Sequence, residues 1–211
     1  IPLLMETAGL LSAKFIRNIF DRMLYHKRII VCCGKGNNGG DGLVLARYLS
    51  HWGANVTIMV KETHHLGPIA TEQFHRTLRL PIRVLSLDNF DAHHIKDYLD
   101  GQDLIIDALF GIGLKKDPSA PFDEIISTIN ASETETVAID IPSGMDATKG
   151  PVYSPCIKAA YTLALSALKT GFFKNEAVSK LGALFIADIG VPIDLYHELG
   201  FNKETPFSSA R

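Results

Sequence analysis

Seven short apolar runs punctuate this 211-residue chain: Ile29–Cys33, Val56–Val60, Ile82–Leu85, Leu104–Ile106, Val137–Ile141, Ala159–Leu165 and Ala183–Ile186. Most are near-continuous in Val, Ile and Leu rather than alternating, the pattern of strands covered on both faces of a parallel sheet. Amphipathic stretches between several of them, Gly42–His51, Thr71–Leu78, Ala92–Leu99 and Phe122–Ile129, supply helices to do the covering. Ahead of the first run, Ala8, Leu11, Phe15 and Ile19 recur at helical spacing and predict an opening helix. Strand-then-helix alternation of this kind specifies a three-layer α/β sandwich with a mostly parallel sheet and right-handed crossovers. The length is near that of one domain of ~150 residues with an appendage. No repeat, low-complexity tract or linker divides it. The expected organisation over 1–211 is therefore one domain: a helical segment at 1–25, a core at 26–200 and a polar tail at 201–211.

Composition narrows the function. Hydrophobic residues at 46% and charged residues at 21% provide a sizeable core and exclude intrinsic disorder. With 21 Lys+Arg against 23 Asp+Glu, the net charge of -2 leaves no basic excess for nucleic acid. The longest near-apolar stretch, Ala159–Leu168, is too short to cross a bilayer, so no membrane association is expected. Ile1–Gly9 lacks the basic n-region of a secretory signal, and the opening Ile points to a missing native start. Three cysteines are an odd number, and Cys32 and Cys33, adjacent in one run, should point to opposite faces as buried free thiols. A reducing cytoplasm suits them.

In a sheet of this type ligands bind beyond the carboxyl ends of the strands, near the switch in strand order. Three loops after apolar runs carry residues of the right kind. The first, Gly34-Lys35-Gly36-Asn37-Asn38-Gly39-Gly40-Asp41-Gly42, opens a helix whose free N–H groups suit an anion. Gly34, Gly36 and Gly39 match G-x-G-x-x-G, and Glu62 follows where a ribose-binding acid would stand. Asn37, Asn38 and Asp41 exceed what a phosphate turn needs, although Asp41 also suits a simple N-cap. The second loop, Asp107-Ala108-Leu109-Phe110-Gly111-Ile112-Gly113-Leu114, puts an acid at a strand end before a flexible turn. The third, Asp140-Ile141-Pro142-Ser143-Gly144, sets a carboxylate almost inside an apolar strand, which is costly unless it is paired. One sheet edge brings Asn38, Asp107 and Ser143 within reach of one another. Their hard oxygens suit an alkali or alkaline-earth cation and not zinc or copper. The pairs His64-His65 and His93-His94 diverge on any regular element and read as exposed side chains. Trp52 reads as a packing residue.

These residues resemble a known family. Gly36-Asn37-Asn38-Gly39-Gly40-Asp41-Gly42, the Asp107–Gly113 loop and Asp140-Ile141-Pro142-Ser143-Gly144 are similar, in order, to the motifs of the NAD(P)H-hydrate epimerases, the YjeF N-terminal domain family. Leu4-Met5-Glu6, Ala8-Gly9, Lys169-Thr170-Gly171 and Ile189-Gly190-Val191-Pro192 extend the likeness over residues 4 to about 195. The resemblance implies a Rossmann-like fold and an isomerase that interconverts the R and S forms of hydrated NADH and NADPH, which carry a hydroxyl at C6 of the nicotinamide ring. It implies substrate contacts from Asn37, Asn38, Gly39, Gly40 and Asp41, from Gly111, Ile112, Gly113, Leu114, Lys115, Lys116 and Asp117, and from Asp140. It implies a potassium ion on Asn38, Asp107 and Ser143, coupling to a fused or separate NAD(P)H-hydrate dehydratase, and a homodimer. Asp140 and Asp107 are the candidate catalytic acids. Thr7 stands where the family commonly has Asn, and Lys35 where it often has Pro. Two other readings stay open: an NAD-dependent dehydrogenase built on Gly34, Gly36, Gly39 and Glu62, and a non-catalytic nucleotide-binding protein of the same fold.

Overall fold

A computed structural model describes residues 2–61, 66–87, 94–174 and 176–198. The chain runs α1 (Pro2–Ile19), β1 (Arg28–Cys33), α2 (Asn37–His51), β2 (Asn55–Val60), α3 (Pro68–Thr77), β3 (Arg83–Ser86) and α4 (Ile95–Leu99). It continues through β4 (Leu104–Ala108), α5 (Phe122–Ala131), β5 (Thr136–Ile139), β6 (Tyr161–Leu165), α6 (Val178–Leu181), β7 (Ala183–Ala187) and α7 (Ile193–Glu198). All seven expected strands form, and they pair in one sheet of order β3-β2-β1-β4-β5-β6-β7. Every pairing is parallel. The chain is thus a doubly wound α/β fold, wholly parallel where a mostly parallel sheet was expected.

The near-continuous apolar runs are explained by cores on both faces of the sheet. Ile29, Val31 and Cys33 of β1 pack with α1, α2 and α3, whereas Ile30 and Cys32 pack with α4 and α5. Cys32 and Cys33 therefore do face opposite ways, and with Cys156 they are buried and free. Among the described residues no helix is long and apolar enough to cross a membrane.

Three helices depart from the sequence pattern. In α1 the buried residues are Met5, Ala8, Gly9, Ser12, Ala13 and Ile16, while Leu11, Phe15 and Ile19 are only partly covered. Small residues win the central face because α2 comes so close: a Cβ on Gly9 would lie 2.4 Å from Val44. Ser12 is tolerated there because its hydroxyl donates to the Ala8 carbonyl at 2.8 Å. Helix α2 begins at Asn37, five residues before the expected Gly42, so the Asn-Gly-Asp stretch is its opening rather than a loop. Glycine is a poor helix former, but packing overrides it here. A Cβ on Gly39 would sit 1.8 Å from the Gly34 carbonyl oxygen, so only glycine lets the helix start against its own entry loop. The N-cap is Gly36, without a side-chain cap, and Asp41 lies inside the helix, which rules out the N-cap role considered for it. Helix α3 starts three residues before the expected Thr71, at Pro68, a favoured first position.

The strand order reverses between β1 and β4, whose last residues Cys33 and Ala108 are register partners. The chain leaves these two strands in opposite directions, opening the crevice that holds the site.

Candidate functional site

The floor of the crevice is a closed polar knot. Asp107, the penultimate residue of β4, is fully buried, as is Ser143. The Ser143 amide donates to Asp107 Oδ2 at 2.8 Å, the Ser143 hydroxyl to Oδ1 at 2.6 Å, and the Leu109 amide to Oδ1 at 3.2 Å. Burial pushes the Asp107 carboxyl up to about 6, with the bonds from Ser143 and Leu109 opposing it. The backbone of Phe110 ties in the other two elements. Its amide donates to Ser143 Oγ at 2.9 Å, and its carbonyl accepts from Asn38 Nδ2 at 3.1 Å. Asn38 from α2, Asp107 from β4 and Ser143 from the turn after β5 are thus tied together, Asn38 through the Phe110 backbone.

One atom of the knot is left over. Asn38 is 7% exposed and its Oδ1, fully enclosed, has no hydrogen-bond donor. A buried acceptor without a donor calls for a partner, which a cation or a water can supply. An all-oxygen set with one formal charge fits a monovalent cation; no cluster of three His, Cys, Asp or Glu suited to a transition metal occurs among the described residues.

Above the floor lies a cavity of about 520 Å³ lined by Lys35, Gly36, Asn37, Asn38 and Asp41, by Leu109–Leu114, and by Asp140. Its volume falls in the range of ~300–1,000 Å³ that small-molecule sites occupy. Asp140 follows the last residue of β5 and has φ 68°, a left-handed conformation that turns the chain sharply out of the sheet. Its Oδ1 accepts from the Leu165 amide at 3.1 Å and from Lys169 Nζ, which also donates to the carbonyls of Leu165 and Ala167 at 3.0 Å each. Both side chains of the ion pair are largely covered, 13% exposed for Lys169 and 16% for Asp140. The costly carboxylate read in the sequence is therefore paired. Nothing in the spacing singles out Lys169 as that partner; only its place in the Lys169-Thr170-Gly171 stretch draws the eye. Asp41, from the second turn of α2, has no hydrogen bond or ion pair among the described residues. Burial, and then the facing charge of Asp140, push its carboxyl up to about 8.

Several other candidates stand apart from the cavity. Asp107 does not line it, being sealed beneath. Gly39 and Gly40 face inward, against Gly34 and Met5. Lys115, Lys116 and Asp117 continue outward from Leu114 as exposed residues, Asp117 accepting from the Ser154 amide at 2.9 Å. Thr7 bonds back to the Leu3 carbonyl of its own helix. Trp52 packs on Tyr48 and beneath the Arg17 guanidinium. His94 is exposed; Glu62, His64, His65 and His93 lie outside the described residues. Two further hollows of about 430 Å³, one beside Lys96 and Glu133 and one between Arg28 and Arg83, open near the amino ends of the strands.

Comparison with known proteins gives the family of the chain. The model of the family "YjeF-related protein N-terminus" matches residues 3–171. A "Bifunctional NAD(P)H-hydrate repair enzyme Nnr" of Moorella thermoacetica is 36% identical over 203 residues, covering 95% of this chain and 38% of that protein. An "NAD(P)H-hydrate epimerase" of Weissella koreensis is 35% identical over 179 residues, covering 84% of this chain and 76% of that protein. The crystal structure of the yeast protein YNL200c superposes with a TM-score of 0.80 at 27% identity, covering 96% of this chain and 84% of that one. The chain spans less than two fifths of the bifunctional relative, at 38%. With a matching model over most of its length and relatives above 30% identity on either side of it, the chain belongs to the family of YjeF-related protein N-termini.

Proposed function

We propose that this protein is an NAD(P)H-hydrate epimerase, an isomerase that interconverts the R and S hydrates of NADH and NADPH in the repair of damaged nicotinamide cofactors. The observation that carries this reading is the meeting of three ordered motifs around one cavity at the strand-order switch, in a chain 35% identical to a single-function relative bearing that name. In this reading Asn37, Asn38, Asp41 and Gly111–Leu114 hold the hydrated ring and its attachments. Gly39 and Gly40 serve by letting α2 start where it does, and the exposed Lys115 and Lys116 offer cations to the phosphates. Asp140, fixed by Lys169 and the Leu165 amide, moves a proton at the reacting centre. Asp107 acts only through Ser143 and the ion site, being too deep to touch substrate.

Asn38, Asp107 and Ser143 would hold a potassium ion, supported by the unpartnered Asn38 Oδ1. Its charge would offset the buried Asp107 carboxylate and stiffen the floor on which the ring rests. The reading extends to a homodimer in the cytoplasm, coupled to a dehydratase that acts on one of the two hydrates. The bifunctional name of the Moorella relative supports that coupling.

The test is direct. Incubated with purified R-hydrate, the protein should bring the R/S ratio to equilibrium far faster than buffer does, without consuming NADH. A ratio that relaxes no faster than in buffer defeats the proposal, and steady NADH oxidation with a carbonyl substrate would favour a dehydrogenase.

A further inference from the structure

Three carboxyl groups surround the site: Asp107 is bonded through both oxygens, and Asp140 through Oδ1 alone. Asp107 accepts from Ser143 and Leu109; Asp140 accepts from Leu165 and Lys169. Asp41 lines the same cavity as Asp140 with no partner among the described residues. Among the described residues no charged group neutralises it. On α1, which packs against α2, Glu6 is tied to Arg47 at 2.6 Å and to Tyr48 at 2.9 Å. Asp107, on β4, is closed within its own bonds, and Lys35, in the β1–α2 connection, is exposed at the rim. An unpaired carboxyl kept in a cavity wall costs stability, so its retention there calls for a use.

We propose that Asp41 is the acid of this site and Asp140 the base on the facing side, the two dividing one exchange of water at C6 between them. This rests on the epimerase reading. The Asp41 proton goes to the C6 hydroxyl oxygen. The C6–O bond breaks, its electron pair leaving on water, and the lone pair of the ring nitrogen closes a C6=N1 double bond. Water then attacks the opposite face of C6. A lone pair of its oxygen forms the new C6–O bond, the double-bond pair returns to nitrogen, and Asp140 takes the surplus proton. Nothing is oxidised or reduced, and the hydrate is recovered with C6 inverted. Asp41 is now the carboxylate and Asp140 the acid, set for the reverse passage; the cavity opens to solvent, through which the pair resets. The elevated titration of Asp41, due to burial and to Asp140, keeps it protonated near neutral pH, as an acid must be. Two carboxyls in different environments are a recurrent way to seat an acid and a base in one site.

Wild type, Asp41→Asn and Asp41→Glu are to be assayed with R-hydrate, with kcat and KM resolved and thermal melting followed alongside. Asp41→Asn should lower kcat by a factor on the order of 10²–10⁴ with KM nearly unchanged and no loss of melting temperature. Asp41→Glu, which keeps a titrating group, should exceed Asn by about tenfold or more. A kcat for Asn within about threefold of wild type, or a loss confined to KM, overturns the proposal. Should the Asn variant fail to fold, the pair Asp41→Glu and Asp41→Ala decides: Glu must exceed Ala in kcat by about tenfold or more, and equal rates overturn the proposal. Inactive wild type would instead overturn the epimerase reading, and this proposal with it.

Discussion

The floor and the wall of the cavity are built from the same residue types at the same sheet edge, yet they do opposite things with a carboxyl group. On the floor Asp107 is wholly buried and saturated with hydrogen bonds, so what remains unsatisfied is a neighbouring acceptor, Asn38 Oδ1. On the wall Asp140 is paired with Lys169, and Asp41, one helical turn along α2 from Asn38, has no partner among the described residues. Saturation makes the floor a rigid mount that leaves one acceptor, Asn38 Oδ1, open to a partner. Incomplete pairing makes the wall a place where a proton can move. The difference comes from backbone supply: the turns after β4 and β5 aim amides at Asp107, whereas Asp41, inside a helix, receives none because those N–H groups serve the helix.

The largest effect that would sharpen this contrast is on turnover. Asp140→Asn keeps the shape and removes the titrating group, so kcat should fall by a factor on the order of 10²–10⁴ while the hydrate still binds. A raised KM with intact kcat would confine Asp140 to binding. Next in size is a stability loss on the floor. In Asp107→Asn the new NH₂ group must point either at the Ser143 amide or at the Leu109 amide, so one buried donor faces another in either orientation. A cost on the order of 3 kcal/mol follows, and at ~2–4 °C per kcal/mol in a domain of this size the melting point should drop by roughly 6–12 °C. An unchanged melt would show that the knot is not the closed unit described.

Much of this was legible in the chain. The near-continuous runs gave every strand, because parallel strands buried on both faces leave little room for polar residues. Acids at strand ends gave Asp107 and Asp140, and the ordered motifs gave Asn38 and Ser143. The start of α2 was not legible, since glycine propensity argues for a loop and only the close approach of Gly39 to Gly34 makes a helix there. Nor was the apolar stripe on α1, where fit against Val44 outweighed side-chain size. Lys169 lies 29 residues from Asp140, and nothing in the sequence between them fixes the turns that bring the two together.

A smaller effect, on the wall, depends on pH. The Asp41 carboxyl is raised to about 8 in the folded chain from an ordinary value of 3.8. Below pH 3.8 both folded and unfolded chains hold the proton, so the group makes no difference there. As pH rises from 3.8 toward 8 the unfolded chain ionises while the folded one does not, and stability declines steadily; above 8 the penalty levels off. Asp41→Asn removes that penalty. It should melt with wild type near pH 3.5 and be more stable at pH 8, by on the order of 2 kcal/mol once access of water to the cavity is allowed for. A difference independent of pH would mean that Asp41 is not the half-buried carboxyl, without a partner among the described residues, seen here. Asp107→Asn offers the contrast: the Asp107 carboxyl is raised too, to about 6 from 3.8, so the deficit of this variant against wild type should be largest below pH 3.8, shrink as pH rises toward 6 and stay constant above it.

The smallest expected effect belongs to the ion. A cation that binds only the folded chain stabilises it by RT ln(1 + [L]/Kd), about 1.4 kcal/mol when its concentration is ~10-fold above Kd. That corresponds to a rise in melting point of roughly 3–6 °C. Melts in potassium chloride should therefore exceed those in choline or lithium chloride at matched ionic strength. Matching removes the general screening of surface charges, which any salt provides. The gain should vanish in Ser143→Ala even though that variant begins from a lower melting point, since the hydroxyl is one of the oxygens the ion would lose. If a water molecule satisfies Asn38 Oδ1 instead, the potassium and choline melts will coincide, and the floor is then a hydrogen-bonded mount without an ion. That outcome would leave Asp41 and Asp140 untouched, because neither draws its position from the ion-holding residues: one is set by α2, the other by Leu165 and Lys169.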